Sequence, residues 1–220
     1  MSKRPQPSDF SERICPVDPA APDSALIGRA VEQIKAGGLV VFPTRALYGI
    51  GADIYQPDAV SRVFKVKRRS ADKPISVLIR SESQLNELAA EVPETATRLM
   101  GRFWPGLITL VFAAKPGVPS ALTGNSGKIG IRMPAQPVAA ALLAALPHPI
   151  TGTSANLSGQ PGCARIFDLS ADIGKAAAMI LDAGPLAGGA GSTVVDVTQI
   201  PPAVLREGAV SADDIQNSLK

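Results

Sequence analysis

The apolar positions of this chain change their period repeatedly, and each change marks an element. Ile27, Ala30, Val31 and Ile34 recur at helical spacing, with Asp23 or Ser24 as the cap and Gly37 closing the helix. An unbroken apolar run at 39–42, with two adjacent valines, predicts a buried strand that Pro43 stops. Gly49 and Gly51 follow and read as a loop. Beyond them Val60, Val63, Phe64 and Lys67 fall at i, i+3, i+4 and i+7 and predict a helix from Asp58. A second apolar run covers 75–79. Helices are predicted over 83–89, 95–103 and 137–146, the last with proline at its first turn. Strands are predicted at 107–113, 129–132, 150–151, 178–182 and 193–197, and 184–191 is a glycine-rich loop. The elements interleave too irregularly for a doubly wound order, so the pattern predicts an α/β fold with a mixed, twisted sheet and flanking helices. Residues 1–22, polar and proline-bearing, read as a flexible arm, 23–210 as the domain and 211–220 as a tail.

Composition narrows the class. With 220 residues, 45% hydrophobic and 19% charged, the chain can build a real core and is not disordered. No apolar run reaches membrane-spanning length, and the N-terminus has no hydrophobic signal region. Two distant cysteines, Cys15 and Cys163, supply neither a disulfide framework nor a zinc site, so a reducing cytoplasm is expected. A net charge of +3 suits a polyanionic ligand or RNA without choosing between them. The single histidine, His148, sits between prolines and reads as structural. Ser-His-Asp, Cys-His and histidine-metal chemistry therefore lack their residues, and no close carboxylate pair suggests glycoside hydrolysis. Cations, hydroxyls and glycines remain. They suit transfer at phosphorus, where positioning and charge stabilisation do most of the catalysis.

The stretch 38–79 concentrates those residues. Thr44 places a hydroxyl at a strand exit, and the predicted helix runs into Lys65, Lys67, Arg68, Arg69 and Lys73, opposed only by Asp72. This can cradle an anion such as a phosphate; it can equally be a solvated helix end that complements the dipole. The dinucleotide and Walker patterns are both absent. Ser154 and Asn156, two apart after a strand, share a face if the backbone stays extended, and otherwise form an ordinary polar turn. Arg132 ends a strand and can grip a carboxylate through two parallel bonds.

Pro43-Thr44, Tyr48-Gly49-Ile50-Gly51, Lys67-Arg68-Arg69 and Ser154-Ala155-Asn156 together resemble the signature of the YrdC/YciO family, which includes the threonylcarbamoyl-AMP synthases. Trp104-Pro105-Gly106, Ile131-Arg132-Met133-Pro134, Ser158-Gly159, the run from Ser192 to Asp196 and Leu205-Arg206-Glu207-Gly208 extend the match in order. The resemblance implies a YrdC-like fold, a large twisted mixed sheet with a concave basic cleft. It implies that Lys67, Arg69, Lys73, Lys128, Ser154, Asn156 and Arg206 line an ATP site, with Lys67 and Arg69 catalytic. It implies that Thr44, Arg132 and Ser192 face L-threonine, and it names no metal ligand. The chain departs from longer members at Arg45 and Ala46, where those have an acidic residue and a second threonine, and at Lys73 and Leu78, where they have asparagine and histidine. The end of the chain soon after Gly208 is expected to leave no room for their additional C-terminal domain.

The activity so implied joins L-threonine, bicarbonate or carbon dioxide, and ATP with its Mg2+ into threonylcarbamoyl-AMP, releasing pyrophosphate. The product would feed a separate tRNA-modifying transferase complex that makes t6A next to the anticodon. The alternative is an RNA-binding module that places tRNA or double-stranded RNA on the same basic face. Aromatic content of 4% and the lack of RNP-like or GXXG patterns weigh against it. A carbamoyl-transfer module like those in hydrogenase-maturation proteins is the third reading; those occur in far longer chains.

Overall fold

The computed structural model describes residues 10–220. Strand β1 (Ile14–Pro16) and helix α1 (Ser24–Lys35) precede strands β2 (Leu39–Pro43) and β3 (Tyr48–Gly51), helix α2 (Pro57–Lys67) and strand β4 (Val77–Leu78). Helices α3 (Glu82–Leu88) and α4 (Glu94–Phe103) lead to β5 (Ile108–Ala113), the short α5 (Ser120–Thr123), β6 (Lys128–Arg132) and α6 (Pro137–Ala145). Then come β7 (Ile150–Thr151), β8 (Thr153–Ser154), α7 (Ala171–Ala176), β9 (Ala177–Asp182), β10 (Thr193–Asp196), β11 (Ala203–Arg206) and α8 (Ala212–Asn217).

The mixed α/β architecture matches the sequence pattern, but hydrogen bonding divides the strands into two sheets. One has the order β1-β9-β2-β3-β8 and the other β11-β10-β5-β6-β4-β7. The division falls at Gly152. Thr151 pairs with Val77 in β4, whereas Thr153 and Ser154 cross over to face Ile50 and Gly49 in β3. A Cβ on Gly152 would stand 2.7 Å from the Leu78 side chain, so glycine is what lets one strand change sheets there. A bond from Thr151 N to Ala52 O at 2.9 Å still ties the two sheets together at this point.

The five-stranded sheet is covered on both faces. Val40 and Phe42 pack with the Ile27–Ala30–Val31–Ile34 stripe of α1 and with Leu142 of α6; Leu39 and Val41 pack with Val63 of α2 and Ile173 of α7. Burial on both sides is why this strand reads as a continuous apolar run. In α1 the cap is Asp23, whose carboxylate accepts from Leu26 N at 2.8 Å, and Gly37 follows the helix at φ +84. The six-stranded sheet packs Leu110, Phe112, Ile129 and Ile131 with Leu85, Leu88 and Leu99 of α3 and α4.

Three expectations change. Gly49 and Gly51 lie in strand β3, not in a loop, and a Cβ on Gly51 would meet the Phe42 ring at 3.0 Å and Ile150 at 2.9 Å. Glycine is required there for close packing. The expected arm extends over 1–22, of which 1–9 lie outside the described residues; Phe10 and the strand that ends at Pro16 are packed, while 18–21 are exposed. Strand β1 runs parallel to β9 with Ile14 opposite Ile180, and Phe10 is 1% exposed against Gly174. Backbone pairing with a few scattered apolar side chains holds this segment, so no periodic signal announces it. The tail forms α8, whose cap Ser211 accepts from Asp214 N at 3.1 Å and which buries Ile215. Among the described residues no helix is long and apolar enough to cross a membrane.

Candidate active site

A cleft of about 370 Å³ opens where the two sheets meet. Its walls come from the β2–β3 turn, the end of α2, strand β4, the end of β6, the β7–β8 segment and the residues around Ser192 and Arg206.

Lys67 is the last residue of α2 and is only 2% exposed. The helix stops because Arg68 takes a left-handed conformation (φ 50, ψ 41), while Arg69 N donates to Phe64 O at 2.9 Å. The reversal leaves Lys67 pointing inward and carries Arg69 onto the cleft wall. Lys67 Nζ donates to Asn156 O at 2.7 Å and to Ser154 O, and Ser158 N donates back to Lys67 O at 2.8 Å. The helix end and the Ser-Ala-Asn segment are thus clamped together, through main-chain carbonyls.

Ser154 and Asn156 both line the cleft, where their side chains bond each other and their own loop. Ser154 Oγ donates to Asn156 Oδ1, and Asn156 Nδ2 donates to Leu157 O at 2.9 Å and Gln160 O at 2.8 Å. Strand β8 ends at Ser154 and the chain bends, with Asn156 N bonded to Ser154 O at 2.9 Å, so the two same-face groups meet each other. Asn156 braces its loop, and Ser154 retains acceptor capacity toward the cleft.

Arg69 Nε donates to Lys73 O at 3.1 Å and its Nη2 to Pro74 O at 2.8 Å, which fixes the guanidinium plane while leaving part of the fork free. Lys73 contributes this carbonyl; its side chain is not part of the cleft wall. Arg132 Nε donates to Gly106 O at 2.7 Å, and Arg206 Nη2 to Ser192 O at 2.7 Å. Ser192 Oγ in turn shares a proton with Thr109 Oγ1 at 2.8 Å. Thr44 lines the cleft, but its hydroxyl donates to Leu47 O at 2.6 Å and closes its own turn. Lys128 stands apart from the cleft. It pairs with the nearly buried Asp196 at 2.8 Å, and it begins the strand that Arg132 ends, about 13 Å away at ordinary strand rise.

Arg45 and Ser158 also line the cleft, although neither was given a site role from the sequence. Arg45 was visible only as a departure from the family pattern; it is an exposed cation on the β2–β3 turn. Ser158 lines the cleft, and its Oγ is shielded from water with no partner among the described residues, a state that costs about 1–3 kcal/mol until something bonds it. Tyr48 has a different role from a ligand contact. Its buried hydroxyl accepts from Ala183 N at 2.9 Å and shares its proton between Gly184 O at 2.7 Å and Asp182 Oδ1 at 3.0 Å. With Gly188 N bonded to Ala46 O at 2.9 Å, it holds the glycine-rich loop against the β2–β3 turn.

Arg45, Lys67, Arg69, Arg132 and Arg206 all line the cleft, and among the described residues no aspartate or glutamate does. Burial, then the charge of Arg69, pulls Lys67 down to about 8. Burial, then Arg206 and Arg45, pulls Arg132 down to about 10, and burial with Arg206 lowers Arg69. Each of these shifts disfavours the cation, and an anion bound beside it reverses the penalty. A titration should show this. Affinity for ATP is expected to be constant below pH 8 and to fall as pH rises through about 8, by up to about tenfold per unit, as Lys67 loses its proton. Calorimetry across pH 7 to 9.5 checks it; flat affinity would remove Lys67 from the anion site. His148 lies outside this wall and bonds Asp53 at 2.9 Å.

The cleft is thus a cation-lined pocket, of a charge that suits an anion, on a two-sheet α/β scaffold. A family model for Sua5, YciO and YrdC proteins, described as telomere recombination, matches residues 32–208. The chain belongs to the Sua5/YciO/YrdC family. It is 40% identical over 183 residues to the threonylcarbamoyl-AMP synthase of Pyrococcus abyssi, a match that covers 83% of this chain and 54% of that protein. It is 37% identical over 191 residues to the threonylcarbamoyl-AMP synthase of Bacillus subtilis, covering 86% of this chain and 55% of that one. The chain therefore spans about half the length of these two relatives. The crystal structure of P. abyssi Sua5 complexed with L-threonine superposes with a TM-score of 0.85 at 36% identity, over 93% of this chain and 60% of that one.

Proposed function

We propose that this protein is a nucleotidyltransferase that makes L-threonylcarbamoyl-AMP and pyrophosphate from L-threonine, bicarbonate and ATP. The observation that carries the proposal is a cleft lined, among the described residues, by five cations and no carboxylate, in a family whose relatives bear that activity's name. The L-threonine in the related Sua5 complex supports the choice of amino acid.

The side chains divide the work by position. Arg132, held by Gly106, offers its remaining N–H groups to the threonine carboxylate, and Ser192 adjoins it. Lys67 and Arg69 take the triphosphate, and Arg206 stands between the two ends. The threonine amine and bicarbonate condense to a carbamate and water. A carbamate oxygen then attacks the α-phosphorus and pyrophosphate leaves. The fixed cations stabilise charge that builds on the phosphate oxygens, with no protein nucleophile. ATP implies Mg2+, but the wall offers a metal no carboxylate, and no group of three histidine, cysteine or acidic residues gathers among the described residues. The residues present do not fit a protein-held magnesium, so no step is assigned to one. The product would pass to a tRNA-modifying transferase.

The direct test is incubation with threonine, bicarbonate and ATP. Pyrophosphate that appears only when all three are present is expected; release without threonine would contradict the assignment. The variant Arg132→Lys is expected to raise the KM for threonine about tenfold or more and to leave that for ATP nearly unchanged, because lysine keeps the charge and loses the planar fork. Equal effects on both substrates would place Arg132 on the nucleotide instead.

A further inference from the structure

One cation in the cleft has no task in this scheme. Arg45 is exposed, lines the cleft, and makes no hydrogen bond or ion pair with any described residue. We propose that Arg45 binds the bicarbonate and holds it against the amine of the amino acid. The proposal rests on the function proposed above and adds the residue that receives its third substrate.

Placement comes first. Arg45 sits between Thr44 and Ala46 on the β2–β3 turn, and Ala46 O accepts from Gly188 N at 2.9 Å. That bond joins the turn to the glycine-rich loop, which runs directly into Ser192. Ser192 precedes Thr193, whose N donates to Leu107 O at 3.2 Å, next to the Gly106 carbonyl that holds Arg132. Arg45, Ser192 and Arg132 therefore belong to one end of the cleft. Lys67, clamped to Ser154 and Asn156, belongs to the other. The charges agree with this order, since Arg132 feels Arg45 and Arg206, whereas Arg69 feels Arg206.

Chemistry then selects the ligand. The carboxylate and the amine of an amino acid are bonded to the same carbon, so the carbon that reacts with the amine must lie beside the carboxylate held by Arg132. Bicarbonate is a planar anion with two oxygens on one edge, which suits a guanidinium fork. An anion between Arg45 and Arg132 also relieves the repulsion of two neighbouring cations that have no acidic residue between them. In the step itself the amine nitrogen bonds to the bicarbonate carbon and the C–OH bond breaks. The hydroxide leaves with an amine proton as water, and the single negative charge stays on the carbamate. Arg45 remains paired with that charge throughout.

The experiment varies each substrate in turn for wild type, Arg45→Gln and Arg45→Lys. The turn position is exposed, so folding is not at stake. Arg45→Gln is expected to raise the KM for bicarbonate about five- to tenfold, with the KM values for threonine and ATP within about twofold, and Arg45→Lys to recover part of the loss. An unchanged bicarbonate KM, or a threonine KM that rises equally, overturns the assignment. If wild type releases no pyrophosphate at all, the proposed function fails. Arg45 is then judged by the carbon NMR linewidth of labelled bicarbonate mixed with threonine-bound protein. Broadening with wild type that Arg45→Gln abolishes supports an anion site at Arg45; equal broadening in both overturns it.

Discussion

Replacing Lys67 with methionine is expected to lower kcat/KM for threonine-dependent pyrophosphate release by about 10²–10³-fold, while the protein remains folded. Methionine fills the buried volume of the aliphatic stem, so the contribution of Lys67 to the α2 core is retained. The ammonium is lost. It holds Ser154 O and Asn156 O, and its remaining N–H is available to an anion. Ser154 O keeps the Asn156 N–H as a donor, so the main unsatisfied group left behind is Asn156 O, at about 1–3 kcal/mol. Removing a charge that burial already disfavours offsets part of that cost. Stability should therefore fall modestly and activity steeply. Asn156→Ala separates the two contributions, because it unbraces the loop and leaves the cation in place. Denaturant melts and steady-state assays on both variants check the pair. Near-normal turnover in Lys67→Met would show that this lysine serves only the fold.

Arg69→Ala carries the second large effect. Two of its donors are tied to Lys73 O and Pro74 O, so the guanidinium is already oriented before a ligand arrives. An oriented cation loses little entropy on binding, and each hydrogen bond to a charged group is worth about 1.5–3 kcal/mol. ATP affinity is expected to drop about 10–150-fold, with threonine affinity altered far less. Calorimetric titration of each ligand separately is the measurement. An alanine variant that binds ATP as tightly as wild type would take Arg69 out of the phosphate site. One that loses threonine equally would mean the cleft wall itself has moved.

Local elements were legible because short-range physics dictates them. The α1 stripe, its Asp23 cap and the run of β2 each follow from neighbours within one or two turns. The cations of the site were legible as residues in a pattern. Their roles were not. Sequence spacing put Ser154 and Asn156 on one face, and only the bend after β8 turned them toward each other. Lys128 was expected to line the ATP site, yet the buried Asp196 pairs with it and it stands outside the cleft wall. Arg45 carried no motif, and its importance depends on which groups surround it.

The sequence by itself determined the class of fold, the order and kind of most elements, the family signature and an inventory of reactive groups that gives histidine- and cysteine-based catalysis little support. Those properties depend on side-chain period, turn chemistry and the inventory of reactive groups, all of which are written along the chain. The tertiary structure decided that the strands split into two sheets at Gly152, that β1 and α8 belong to the packed body, and that five cations face one cleft whose wall has no acidic residue among the described residues. Each of these depends on pairs of residues far apart in sequence. Backbone pairing between distant strands leaves little periodic trace, and a charge acquires its meaning only from the burial and the charges that folding places around it.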